Sequence, residues 1–575
     1  MFSDLIFNFK FFLDKKLKLK IISLFIVHII NVILDLVSVA LIPAILVYFF
    51  NNRDIEVEIE IINKILDYAE TIIHSISISW LLLIILIFFA IKTILKIVYF
   101  IFITKFGFDL NVNIAGKIAK KKLSSTYQNH LKNIYSNFFN TITNVTEDFV
   151  QNYFLLLYNI IVNFVTLSLF IFFLLIVNPL ITIAIISISS VSFFTFYIIT
   201  KKKFIFFGKH KLILVEKTLS KIKDIYFSFK EIKIYRAEKF FLNRFIDTKK
   251  AWASNKLKFS VMSSMPKLLL EFGLVIIIFI SLIISFILKI EITNIIINLT
   301  IFLISAQRIF PAVIMILKNF SKINYTKKAQ LILLNEFNQQ TQNNEDEQKI
   351  NFQKLISLKN VSYSYNEKKD VLENIDLQII KNSFIGIRGL SGQGKSTLIN
   401  IIMGILSPTN GKVFIDNLEV SKNLNGYLNL ISYVPQKITI IDDSIRNNLL
   451  FGNQSRKITD HEIYKVLNEV KIQRIINEHP KKLDALISET TIKASEGEIQ
   501  RFGIARALLQ KKQILILDEI TSSLDEDNEN NIIELIKNVQ KNTTVIMISH
   551  KESSLKFCDE IIELNNKKIK KIWTK

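Results

Sequence analysis

The 575-residue chain has a single cysteine, Cys558. An intramolecular disulfide and a multi-cysteine metal centre are therefore excluded, and a buried or neutral thiol is the expected role. A cleavable leader is not expected either: the first long apolar run exceeds the apolar core of a signal peptide and has no small-residue cleavage site, so it reads as a membrane helix. Long apolar runs are absent beyond residue 320, where the chain reads as soluble. What is abundant lies before that point. Half of all residues are hydrophobic and 47 are Phe, which describes a protein that places much of its surface in lipid.

The formal charge of +22 raises the question of nucleic acid. The distribution answers it differently. Lysines crowd the flanks of the apolar runs, as in "KKLKLK" (15–20), "KIAKKKL" (117–123) and "KKKF" (201–204), which is the positive-inside pattern of a membrane protein. The expected partner is the bilayer, and no nucleic acid.

A membrane span needs about 20 mostly apolar residues. Candidates occur at 21–49, 80–104, 151–177, 180–200, 268–289 and 294–318, with Asn178 and Pro179 as a tight turn between the third and fourth. The segment 51–70 is acidic, whereas 105–146 and 201–267 are long and basic, so both termini are expected in the cytosol. The two basic segments are helix-friendly and predict helices that continue beyond the bilayer. Six ionisable residues fall inside the spans: His28, Asp35, Lys92, Lys96, Glu271 and Arg308. Charges at that depth usually face a bundle interior, a partner or a wet cavity. Lys92 and Lys96 share a helix face and are open to two readings, cavity cations or snorkelling side chains, while Arg308 is expected to face a cavity.

After a polar tract, "NQQTQNNEDEQK" (338–349), the pattern changes to short apolar strands and turns. The predicted organisation is a membrane domain over 1–325, a linker over 326–350 and a second domain over 351–575. The strand-like "SFIGIRG" runs into "GLSGQGKSTLINIIMGIL" (389–406), which contains G-x-x-x-x-G-K-[ST] with Gly389, Gly394, Lys395 and Ser396 in place. Glycines let successive backbone N–H groups close around phosphate, and the following helix adds its positive end. Ser391, Gly392 and Thr397 complete this loop. Lys395 supplies charge to the outer phosphates, and Ser396 offers a hydroxyl to Mg²⁺. Farther on, "QILILDEITSSLD" (513–525) is an apolar strand ending in two carboxylates. Asp518 suits Mg²⁺, and Glu519 suits an attacking water. ATP and Mg²⁺ are the implied ligands.

With these motifs the chain resembles an ATP-binding cassette (ABC) exporter over most of its length. "VSYSY" resembles the loop whose aromatic stacks on adenine, placing that role on Tyr365. In "SYVPQ", Gln436 matches the glutamine that reaches Mg²⁺ and joins the nucleotide site to the membrane domain, and "DDSIRNNLLFG" follows as in exporters. "IMISH" places the switch histidine at His550, and "SSLD" (522–525) matches the loop after the catalytic glutamate. The resemblance implies a multi-domain membrane protein: an all-α six-helix transmembrane domain of the type IV exporter kind, then an α/β P-loop cassette. It also implies a half-transporter in the cytoplasmic membrane that pairs with a second subunit, a homodimer being simplest and a heterodimer the alternative. Its coupling helices would fall near 125–137 and 224–237. Catalysis would rest on Glu519, His550 and Lys395.

The signature region departs from the family pattern. Where L-S-G-G-Q is usual, "IKASEGEIQR" presents Ala494, Ser495, Glu496, Gly497 and Glu498. Ser495 and Gly497 match the residues that reach the partner's nucleotide. Glu498 would sit in a first helical turn, where the macrodipole favours a carboxylate. Glu496 would repel phosphate if aimed at it and cost little if aimed at solvent. The membrane half most resembles bacterial flippases of lipid-linked oligosaccharides, on "MPKLLLEFG" (265–273) and "RIFPAVIMILKNFSKINY" (308–325). A diphosphate headgroup would need cations, and Arg308, Lys92 and Lys96 are the candidates. The alternatives are a peptide, drug or other lipid exporter, and a regulatory ABC protein with weak ATPase activity. A peptidase domain ahead of the first span is not expected.

Overall fold

The computed structural model describes residues 14–49, 78–132, 135–177, 179–287, 292–338, 349–366, 369–452, 457–477, 479–488, 491–492, 494–520 and 526–574. Along parts of the helices, Arg308 included, only the backbone is described. The acidic segment 51–70 and the "SSLD" loop lie outside the described residues. The chain divides into two compact units, one of residues 1–125 with 132–341 and one of 126–131 with 342–575.

The first unit is helical. Its long elements are α1 (Lys15–Phe49), α2 (Ile78–Leu123), α3 (Leu155–Val177), α4 (Pro179–Phe227), α5 (Glu238–Ile287) and α6 (Ile292–Asn338). In lipid the helix satisfies every backbone group internally, which is why uninterrupted apolar runs take this form. Among the described residues, Lys15–Val39, Leu82–Leu123 and Asn137–Ile176 are long and apolar enough to cross a membrane. The other three expected spans run along α4, α5 and α6. Pro179 opens α4 directly after α3, where the Asn-Pro turn was expected.

The helices extend well past the apolar segments and pack there through a second core. Leu110, Ile114 and Ile118 of α2 meet Phe149, Tyr153 and Phe154, which lie where the chain widens into π-helical turns before α3. Gly208 of α4 faces α6 so closely that a Cβ there would lie 1.9 Å from the Tyr325 carbonyl oxygen, and Phe259 of α5 stacks on Tyr325 at 4.0 Å between ring centroids. Short helices at Tyr127–Lys132 and Phe229–Ile234 fall within the two expected coupling segments.

One boundary differs from the sequence reading. α6 continues to Asn338, so the first part of the predicted linker is helix. Ile323, Thr326, Ala329 and Leu333 are buried and recur every three or four residues, and the Thr326 hydroxyl donates to the Asn152 carbonyl at 2.7 Å. The intervening lysines disguised that buried stripe.

The second unit is built mainly on two sheets, with a small two-stranded pair of Asp443–Ser444 and Leu486–Ile487 in addition. The antiparallel one joins β1 (Leu355–Asn366), β2 (Lys369–Ile380), β4 (Asn410–Ile415) and β5 (Leu418–Glu419) in the order β2-β1-β4-β5. The larger one contains β3 (Phe384–Arg388), β6 (Ile431–Val434), β7 (Ile514–Asp518), β8 (Thr544–Ile548), β9 (Glu560–Asn565) and β10 (Lys568–Thr574), in the order β10-β9-β3-β8-β7-β6. From β9 to β6 its pairs are parallel. Both faces of such a sheet are covered, which explains the unbroken apolar runs of β7 and β8. Helices α7 (Lys395–Ile402), α8 (Glu496–Leu509) and α9 (Glu526–Gln540) start near the functional residues described next. Cys558 is buried, and burial pushes its thiol up to about 12, so it is a neutral packing residue.

Candidate nucleotide site

β3 ends at Arg388, and the chain turns through Gly389–Gly394 into α7. Two of the turn's glycines take a left-handed φ, +81° at Gly392 and +99° at Gly394, and a Cβ would lie 2.9 Å from Val371 Cγ1 at Gly394 and 2.6 Å from the Leu564 carbonyl oxygen at Gly389. The loop can therefore curl with its amides toward a phosphate group, ahead of the positive end of α7. Lys395 is buried at the first position of α7, and its ammonium folds back to donate to the carbonyls of Gly389 at 2.8 Å and Leu390 at 3.1 Å. Burial lowers its pKa, while Glu519 and Asp518 oppose that change.

Parallel pairing of β3, β8 and β7 sets the candidate catalytic groups at one end of the sheet. β7 ends on Asp518, and Glu519 follows with φ of +51°, a left-handed conformation held by its N–H donating to Ile548 O at 3.1 Å. β8 ends two residues before His550. Here the sequence-predicted residues meet: His550 Nε2 lies 3.0 Å from Glu519 Oε1 and 3.1 Å from Lys395 Nζ, and Gln436 Nε2 donates to Glu519 Oε2 at 2.7 Å. One nitrogen cannot both accept from Lys395 and donate to Glu519, so the proton on His550 Nε2 selects between the two contacts. Tyr365 is half exposed, packs edge-on against Tyr363 and shares a 3.2 Å hydroxyl contact with Thr397, which leaves a ring face at the rim of the loop.

The residues fit Mg²⁺. Burial raises the Asp518 carboxyl, and the neighbouring Glu519 raises it further. Two adjacent carboxylates of this kind favour a divalent cation between them and a polyanion. Asp518, the exposed Ser396 hydroxyl and the Gln436 amide oxygen are hard oxygen donors of the type that ion takes.

The signature residues form a second feature. Ser495 caps α8 in a reciprocal capping box: Glu498 N donates to Ser495 Oγ at 3.3 Å, and Ser495 N donates to Glu498 Oε2 at 2.9 Å. Arg474 grips the same carboxylate through Nε at 3.1 Å and Nη2 at 2.9 Å. Burial pushes the Glu498 carboxyl up, but Arg474 and Ser495 outweigh it and hold the group below the usual range. Glu498 is thus a structural clamp, a more specific role than the macrodipole contact expected of a carboxylate in the first turn. Glu496 is exposed, and Gly497 follows it in the first turn.

Three supporting residues escaped sequence reading. Tyr433 donates to Asp518 Oδ2 at 3.2 Å. Glu529, buried on α9, accepts from Lys551 at 2.9 Å, from Ser553 at 2.9 Å and from Ser554, and so anchors the residue next to His550. Arg501 of α8 donates to Asn528 at 2.9 Å. No local pattern announces these contacts; only the Ser495-x-x-Glu498 spacing was a readable signal. In the membrane unit, Lys92 and Lys96 both lie against Asp35, and the Arg308 side chain is outside the described residues.

Residues 372–522 match the family model described as ABC transporter. An "export ATP-binding/permease protein" of Rickettsia typhi is 36% identical over 217 residues, 37% of each chain. The "Iron-sulfur clusters transporter ATM1, mitochondrial" of Candida albicans is 33% identical over 213 residues, 36% of this chain and 28% of that one. The "Multidrug resistance-like ATP-binding protein MdlB" of Buchnera aphidicola is 34% identical over 221 residues, 38% of each. The matches thus span 28–38% of these relatives' lengths. A solved bacterial Atm1-family ABC exporter with ATP bound aligns over 97% of this chain and 95% of its own, with a TM-score of 0.78 and 17% identity. The chain therefore shares the fold of that exporter, a helical membrane-type unit followed by one α/β unit whose residues 372–522 match the ABC transporter family.

Proposed function

We propose that the chain is an ATP-driven exporter subunit that works as a pair and moves a lipid-linked or amphipathic molecule across the cytoplasmic membrane by alternating access. The carrying observation is the meeting of Lys395, Gln436, Glu519 and His550 within 2.7–3.1 Å contacts beside Asp518. Glu519 positions the attacking water and takes its proton as oxygen bonds to the γ-phosphorus and the bond to the ADP oxygen breaks. Lys395 leaves the loop carbonyls for the phosphates, and His550 steadies Glu519 and the γ-phosphate side. Asp518, Ser396 and Gln436 would hold Mg²⁺, which supplies charge to the phosphates when bound.

Pairing is supported by the tip that carries the second expected coupling segment. Tyr226, Phe227, Phe229, Ile234 and Tyr235 are all more than half exposed there. Aromatic surface of this extent suits burial in a second subunit, and a homodimer is the simplest assembly. Ser495 and Gly497 would address the other subunit's nucleotide.

For the cargo, lipid-linked oligosaccharide is the first candidate, because 265–273 and 308–325 resemble flippases of that class. The test is ATPase activity of the reconstituted protein with lipid-linked oligosaccharide, peptides and drugs. Stimulation by the lipid alone supports this cargo. Stimulation only by peptides or drugs replaces it with another exporter, and slow hydrolysis indifferent to all three replaces it with a regulatory ABC protein.

A further inference from the structure

Away from the nucleotide residues, the membrane unit holds a buried cluster of uneven charge. His28, Asn31, Asp35 and Ser38 recur every three or four residues and so share one face of α1; Lys92, Lys96 and Tyr99 do the same on α2. Lys92 Nζ lies 2.8 Å from Asp35 Oδ1 and donates to Ser38 Oγ at 2.6 Å. Lys96 Nζ donates to both Asp35 oxygens at 2.8 Å. Two turns along α1 from Asp35, His28 Nε2 meets Thr166 Oγ1 of α3 at 3.1 Å, and its ring lies 5.7 Å from that of Tyr99. Asn31, between His28 and Asp35, is buried, and neither of its amide atoms is hydrogen-bonded among the described residues.

A single ammonium would neutralise Asp35. Among the described residues the cluster sets two ammoniums on that carboxylate, so Lys92 and Lys96 share one anion at a depth where a charge is costly to desolvate. The lysines are not equivalent. Lys92 has 5% of its side chain exposed and is committed to Asp35 and Ser38, whereas Lys96 has 37% exposed, so its ammonium is the one a ligand can reach. Snorkelling does not account for Lys96. Ile91, Ile94, Ile97 and Val98 take the exposed positions of this stretch, while the Lys96 ammonium turns onto Asp35.

We propose that this cluster is an anion site: Lys96 contacts a phosphate or carboxylate group of the amphipathic cargo, Lys92 holds Asp35, and Asp35 is a tethered competitor that the incoming anion displaces from Lys96. The proposal rests on the exporter reading and gives its cargo a chemical class, an amphiphile with an anionic headgroup. It also narrows the sequence expectation, since Lys92 becomes a fixed partner of Asp35 and not a contact.

The test is equilibrium binding of radiolabelled dodecyl phosphate to the full chain in phosphatidylcholine nanodiscs, with dodecylphosphocholine as the zwitterionic control and inorganic phosphate as competitor. MgATP binding is measured on the same samples. Lys96→Ala weakens dodecyl phosphate binding about tenfold or more, because the contacting cation is removed, and Asp35→Asn tightens it about tenfold or more, because the competing anion is removed. The control ligand is unaffected. Competition by millimolar inorganic phosphate assigns the site to a free phosphate; its absence assigns it to an amphiphile. If Asp35→Asn does not fold, the charge-balanced Asp35→Asn/Lys92→Met variant carries the same test, with Lys96 released from its competitor. Weaker or unchanged binding in the Asp35 variants, with MgATP binding intact, identifies a structural ion cluster and overturns the proposal. Loss of MgATP binding with these lipid effects intact would instead count against the nucleotide reading alone.

Discussion

Replacing Glu498 with alanine removes the clamp on the signature helix. The carboxylate accepts from the Ser495 N–H at 2.9 Å and holds Arg474 through two contacts. Loss of the reciprocal cap costs about 1 kcal/mol. The Arg474 guanidinium is largely exposed, so its pair adds at most about 1 kcal/mol. The first turn of α8 should then open more readily by about 2 kcal/mol, which is roughly thirtyfold in amide exchange. Hydrogen exchange with mass spectrometry on the full chain reads this at Gly497, Glu498 and Ile499. Glu498→Gln, which keeps an acceptor, should show a smaller increase. The pH dependence has a defined sign. The folded carboxyl is held below its ordinary value of 4.5, so the clamp is complete above pH 4.5 and is lost as pH falls through the folded value. Unchanged exchange in Glu498→Ala, or a change spread equally over α7, would refute the clamp.

Three further substitutions test neighbouring assignments. Glu496→Gly removes an exposed carboxylate, so stability should move by less than about 0.5 kcal/mol and ATPase activity by less than about twofold; a tenfold gain would show that Glu496 repels the nucleotide. Glu529→Gln should lower kcat several-fold with little change in KM for ATP, because Lys551 loses its buried partner beside His550, and Glu529→Asp should recover part of the loss. An unchanged kcat would remove Glu529 from the positioning of His550. Lys395→Met should weaken nucleotide binding about a hundredfold, read by equilibrium binding of a fluorescent ATP analogue, and near-normal affinity would displace Lys395 from its role.

The parts legible in the sequence were those with a fixed spacing or a composition step. Gly389 to Ser396 obey a spacing dictated by phosphate geometry, and the strand ending in Asp518 and Glu519 is apolar because both faces of its sheet are covered. The fold class followed from these motifs and from the apolar runs. Contacts that depend on which distant elements touch were not legible. Glu529 and Lys551 meet only because α9 packs beside the chain after β8, and Arg474 reaches Glu498 across 24 residues. Asp35, Lys92 and Lys96 were each visible as charges in apolar runs, yet their mutual pairing depends on the register of α1 against α2. The end of α6 was misjudged for a local reason, since its buried stripe is interleaved with lysines.

The central claim is that Glu519 activates water in an ATP-hydrolysing engine, and the most direct measurement compares ATP binding and steady-state hydrolysis in Glu519→Gln. Glutamine fills the same space and can keep a contact to Gln436, but it cannot take the proton from water. The account predicts ATP affinity within about threefold of the native protein and hydrolysis reduced by about a hundredfold or more. Near-normal turnover by that variant would contradict it.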